Sequence, residues 1–154
     1  MIKATDLKDV SGGYISLNAE KDDTLELWQD MMVFVLGKRN DESYGLPLNF
    51  YKDEVKSGGL LSSKIEPCVI IENANHPNDY FKYVLLLHEQ RGQILFDVWN
   101  YGNSREFKNE MMGKNRGLSG ALRNAAFGSK DKWKEESQYY DGVVALIRDA
   151  LNVR

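Results

Sequence analysis

The run "CVIIENANHPNDYFKYVLLLHEQRGQILFDVWNY", residues 68–101, constrains the fold more than any other stretch. It contains three segments rich in β-branched and aromatic residues, at 68–73, 81–89 and 93–101. A break with Pro77 separates the first two, and Arg91-Gly92 separates the last two. Such segments between turn residues predict a three-stranded antiparallel meander. Val84, Leu85, Leu86 and Leu87 are apolar at consecutive positions, hence on both faces of the middle strand. That pattern predicts a strand covered on both sides, or a sheet completed by an oligomer partner.

The second turn decides where two candidate catalytic residues point. A two-residue turn at Arg91-Gly92 sets Gln90 against Gln93 and His88 against Leu95, so His88 and Asp97 share a face as diagonal neighbours. A carboxylate there would orient the imidazole and raise its basicity. A three-residue loop, Gln90-Arg91-Gly92, instead sets His88 against Ile94 and sends Asp97 to the opposite face. Arginine is a poor residue for the positive φ of the two-residue turn, whereas the longer loop puts Gly92 at its left-handed position. The turn chemistry therefore favours the longer loop, and with it the loss of the dyad.

Around this meander the chain reads as one α+β domain, residues 1–154. Residues 11–18 read as a turn at Ser11-Gly12-Gly13 followed by a short alternating strand, with a second, edge strand near 48–51. Between them, Leu25, Trp28, Met32 and Val35 recur at helical spacing and predict a helix over 24–36. Asp23 with Glu26 matches a capping box, and Gly37 suits a left-handed stop. Asp53-Glu54-Val55-Lys56, between Gly- and Pro-rich loops, reads as an exposed turn. The final third reads as helical, at 104–112, at 117–128 and after Ser129. There Trp133, Ser137, Tyr140, Val144, Ile147 and Leu151 form one stripe, expected to pack on the sheet with a dimer seam as the lesser option. Trp28, Trp99 and Trp133 are expected to meet in the core.

Composition narrows the class of protein. The AVILMFWYC residues make up 42% and the charged residues 28% of 154, values of an ordinary folded domain able to bury a core without disulfide or metal. A lone Cys68 allows no internal disulfide and fits a reducing compartment. The N-terminus lacks the pattern of a signal peptide, and the longest apolar run, residues 31–36, is too short to span a bilayer. The expected setting is cytoplasmic, away from membranes.

The chemistry-bearing residues are sparse. His76, His88 and Cys68 have no metal-ligand spacing, and neither Gly-Gly pair opens a phosphate loop. No metal site and no cofactor is indicated. Charge is asymmetric: residues 105–134 hold eight basic and three acidic side chains, a local +5 within a chain of net −3. Arg105, Lys108, Arg116 and Arg123, interleaved with asparagines, suit phosphate contacts. Tyr101, Tyr139 and Tyr140 are the candidates for an exposed interaction patch. The preferred reading is a non-enzymatic module for a protein or other macromolecular partner, with a homodimer through the sheet or C-terminal helix as an option. The alternatives are phosphate-directed nucleic-acid or nucleotide binding through 105–134, and a small hydrolase or metal-dependent enzyme using His88, Asp97 or the carboxylates.

Overall fold

A computed structural model describes residues 1–18, 22–78, 80–101 and 130–151, with side chains for all of these except 8–18 and 130–133. Six strands form one mixed, mostly antiparallel sheet: β1 (Ile2–Lys3), β2 (Lys8–Asn18), β3 (Leu48–Ser57), β4 (Lys64–Asn73), β5 (Lys82–Gln90) and β6 (Gln93–Tyr101). Their order across the sheet is β1-β3-β4-β5-β6-β2, and only the β1–β3 pair is parallel. Two α-helices are described with them, α1 (Leu25–Arg39) and α2 (Lys130–Leu151), besides a 3-10 turn at Ala4–Asp6 and a π turn at Asn40–Tyr44. This is the α+β architecture expected, with the meander β4-β5-β6 at its centre. The helices expected at 104–112 and 117–128 lie outside the described residues.

The hairpin takes the two-residue turn, against the expectation from turn chemistry. Gln90 pairs with Gln93 and His88 with Leu95. Arg91 (φ 53°) and Gly92 (φ 76°) are both left-handed, the pair of conformations that a type I′ turn demands. The left-handed arginine costs about 1–2 kcal/mol. The longer loop would have turned Ile94 and Phe96 away from the helices and Asp97 towards them. In the observed register Ile94 and Phe96 are fully buried on the helix side. Burying two such side chains is worth about 3–6 kcal/mol, which outweighs the turn, and Asp97 escapes the apolar core.

Alternation along the strands creates two apolar layers. On one face Val69, Ile71, Tyr83, Leu85, Leu87, Ile94 and Phe96 pack under Trp28, Met32 and Leu36 of α1 and Tyr139, Val143, Leu146 and Ile147 of α2. On the other face Ile2, Val55, Cys68, Ile70, Val84 and Leu86 form a second cluster bordered by Trp99 and Tyr101. Trp28 meets Phe96 edge-on, with ring centroids 5.9 Å apart, whereas Trp99 pairs with Val84 on the opposite face. The two tryptophans therefore do not share a core, a correction that follows from the hairpin register; the side chain of Trp133 lies outside the description.

Element boundaries differ from the sequence expectation for local reasons. Thr24, not Asp23, caps α1, its Oγ1 accepting a hydrogen bond from the Leu27 N–H at 3.2 Å. The helix runs through Gly37 and ends in one π-type turn, Asn40–Tyr44, closed by left-handed Gly45. Buried Asn40 fixes that exit, donating to the Leu46 carbonyl and accepting from its N–H. Residues 53–56 belong to β3, not to a turn, because Val55 is buried opposite Glu66. That strand is ten residues long and lies inside the sheet edge. On α2 the buried stripe is Glu136, Tyr139, Val143, Leu146, Ile147, Ala150 and Leu151, rotated from the expected one so that Tyr140 and Val144 sit at its margin. It packs on the sheet and on α1.

Candidate functional site

His88 and Asp97, whose proximity hung on the register, are in contact. Asp97 lies opposite Leu86 on β6, one diagonal step from His88 on the same face. Its Oδ2 is 2.8 Å from His88 Nε2. A third residue completes the arrangement: Glu66 of β4 places Oε2 against His88 Nδ1. Lys64 Nζ then approaches the same Glu66 oxygen at 3.2 Å. A carboxylate, an imidazole and a second carboxylate thus bridge three adjacent strands.

Burial grades the trio. The Glu66 side chain is 9% exposed, that of His88 22% and that of Asp97 30%. Each ring nitrogen faces one carboxylate oxygen. Both contacts are good hydrogen bonds when the ring carries both N–H protons, or when one carboxyl retains its own. Neither nitrogen is left to take a proton from a substrate. The neighbours along the strands are Val55, opposite Glu66, and Leu95, opposite His88. The arrangement suits a charge-assisted clasp across β4, β5 and β6. Among the described residues no group of three or more His, Cys, Asp or Glu side chains is placed to hold a metal ion.

Glu66 lies just upstream of the strand expected at 68–73, on the far side of Pro67. Here Pro67 pairs with Glu54 of β3 just beyond the last β4–β5 pair, Cys68–Leu86, so its missing N–H costs no ladder bond with β5. Extending the strand two residues upstream would have set Glu66 opposite His88.

A second polar group occupies the same face. Glu72 accepts from Lys82 at 3.1 Å, from Tyr51 Oη at 3.3 Å and from Asn49 Nδ2 at 3.3 Å. Burial alone would raise the Glu72 carboxyl, but Lys82, Asn49 and Tyr51 outweigh it and hold the group below its ordinary range. Burial would lower Lys82, and its contacts with Glu72 and Tyr51 reverse the sign. Cys68 is buried; desolvation, helped by Asp53, pushes its thiol up to about 12, the behaviour of an inert core thiol.

The tyrosines foreseen as one patch do not form one. Tyr101 borders the second apolar cluster, while Tyr139 and Tyr140 belong to the helix-side core. Tyr139 is buried and donates its hydroxyl to the Phe81 carbonyl at 2.8 Å, so it leaves the candidate binding set. Tyr140 is half-buried against the rings of Phe81 and Tyr83. Arg105, Lys108, Arg116 and Arg123 lie outside the described residues.

The exposed apolar surface lies elsewhere. Leu27 is 57%, Met31 38% and Phe34 67% exposed. Their i, i+4, i+7 spacing puts them on one stripe of α1, turned away from Trp28, Met32 and Leu36. Shallow hollows flank the stripe, one lined by Asp23, Leu27, Trp28 and Met31, the other including Val33, Phe34 and Lys38. Leu60 and Leu61, in the connection from β3 to β4, are fully exposed as well. No described helix is long and apolar enough to cross a membrane. Searches of family models, of curated proteins and of solved structures return no match to this chain.

Proposed function

We propose that this chain is a binding module for a protein partner, and that it engages that partner through the outer face of α1. One observation carries the reading: α1 is apolar on two opposite sides, and among the described residues only one of them packs into a core. A surface helix ordinarily opposes a polar face to its core face, and a helix apolar all round is ordinarily buried. Single exposed apolar residues need no explanation, but three large ones aligned on one helical stripe do. Helix-in-groove recognition uses this same i, i+4, i+7 set of anchors.

The clasp of Glu66, His88 and Asp97 fits this reading as a device that pins the register of the central strands. The test is a photo-reactive phenylalanine analogue at position 34, expressed in the cell that encodes the chain. It yields a discrete covalent adduct with a protein, and the same analogue at exposed Glu89 does not. Equal labelling at the two positions, or none at either, removes the proposal.

A further inference from the structure

We infer that the occupant of the outer face of α1 is α1 of a second copy of this chain, packed antiparallel about a two-fold axis. This inference rests on the binding role proposed for that face and names its partner. The argument is the self-complementarity of the stripe. Along the helix it runs Leu27, Met31, Phe34, Lys38, with Asp23 just before the Thr24 cap. An axis between residues 30 and 31 sets position 27 against 34 and position 23 against 38. Leu27 of each copy then meets Phe34 of the other, and the acidic start of one helix faces the basic end of the other.

Each contact has a feature that receives it. Phe34 of one copy lies over the hollow lined by Asp23, Leu27, Trp28 and Met31 of the other. Lys38 of the first copy reaches the Asp23 end of that hollow. Lys38 is exposed, and its own helix offers it only a marginal contact with Glu42 at 4.0 Å. Asp30, beside the axis, is already neutralised by Lys52 at 2.7 Å, so the two copies do not bring two uncompensated carboxylates together. Antiparallel helices also set the negative end of each dipole near the positive end of its neighbour. An isologous contact of this kind closes at two and does not propagate.

The stripe is short, so the interface belongs at the small, weak end of specific contacts. Sedimentation velocity on the full chain, from about 5 to 500 µM, is the direct test. The weight-average mass rises from 17.6 kDa towards twice that value with concentration. Phe34→Asp weakens the association at least about tenfold, the effect of losing one interface anchor, while circular dichroism and thermal midpoint show it folded. Lys38→Glu weakens association, and adding Asp23→Lys to Lys38→Glu restores it, as only the antiparallel register requires. A chain monomeric throughout the range, or a Phe34→Asp variant that associates like the parent, overturns the inference. An adduct at position 34 whose mass is that of a different protein also overturns it, yet leaves the α1 binding role standing; no adduct at all removes both.

Discussion

Removing members of the Glu66–His88–Asp97 clasp separates a structural role from a chemical one. A charge-assisted hydrogen bond is worth about 1.5–3 kcal/mol when its partners are shielded, and less as solvent reaches them. The Glu66 side chain is 9% exposed, so Glu66→Gln is expected to cost about 2 kcal/mol; losing its exposed Lys64 contact adds little. The Asp97 side chain is 30% exposed, so water can replace part of its bond, and Asp97→Asn is expected to cost about 1 kcal/mol. His88→Ala strands Glu66 with Lys64 alone and is expected to cost about 2–4 kcal/mol, near the lower part of the range for a broken buried pair. A double-mutant cycle of Glu66→Gln with His88→Ala then returns a coupling of about 1–2 kcal/mol, larger than that of Asp97→Asn with His88→Ala. Equilibrium urea unfolding followed by tryptophan fluorescence measures all five variants, because Trp28 is buried and Trp99 lies on the same face as the clasp. Costs below about 0.5 kcal/mol with no coupling would refute the clasp. Charged groups held at close quarters for no stability would return His88 to the catalytic candidates.

Three further outcomes follow from the same geometry. Cys68 is expected to resist a thiol reagent such as Ellman's at pH 8 in the folded protein and to react at once in urea, since its thiol stays protonated up to about 12; rapid native labelling would contradict its burial. Arg91→Asn keeps the left-handed turn with a residue that tolerates it, and is expected to raise stability by about 0.5–1 kcal/mol in urea unfolding; a loss would mean the arginine makes a compensating contact. The folded value of Glu72 lies below its unfolded one, so its contribution is present above the unfolded pKa and fades as pH falls through the folded value. Glu72→Gln is therefore expected to flatten the acid limb of a stability–pH profile measured by thermal midpoint, and an unchanged limb would rule the pair out as a source of acid sensitivity.

The meander was legible because its pattern is redundant: three segments rich in β-branched and aromatic residues and two turns all agree on strands. Its register was not legible from the turn alone. Arg91 argued locally for the longer loop, and the burial of Ile94 and Phe96 overrode it by a few kcal/mol. A register chosen by asking which partner keeps Asp97 out of the helix-side core would have found the dyad. Glu66 lay outside the strand expected at 68–73, and its place against His88 emerges only when β4 runs on through Pro67, a residue that local preference keeps out of strands. In both places local preference and tertiary packing disagree, and packing wins where the buried area is large.

Helix α1 shows the opposite limit. Its apolar residues at 25, 28, 32 and 35 were enough to place a helix, and Trp28 and Met32 of that set are buried. The sequence could not say which side faces the sheet, because Leu27, Met31 and Phe34 repeat the helical spacing on the other side. A helix with two apolar faces has no inward direction of its own. The sheet chooses one: Gln29 anchors that side, donating Nε2 to the carbonyls of Asp53 and Cys68 at 3.0 and 2.7 Å. A buried amide so satisfied commits the helix to one orientation about its axis, since the reverse would strand both the amide and two carbonyls. What remains outward is then a face with the composition of a core and, among the described residues, no core to join, and that is why the search for a partner begins at Phe34 and not at the imidazole.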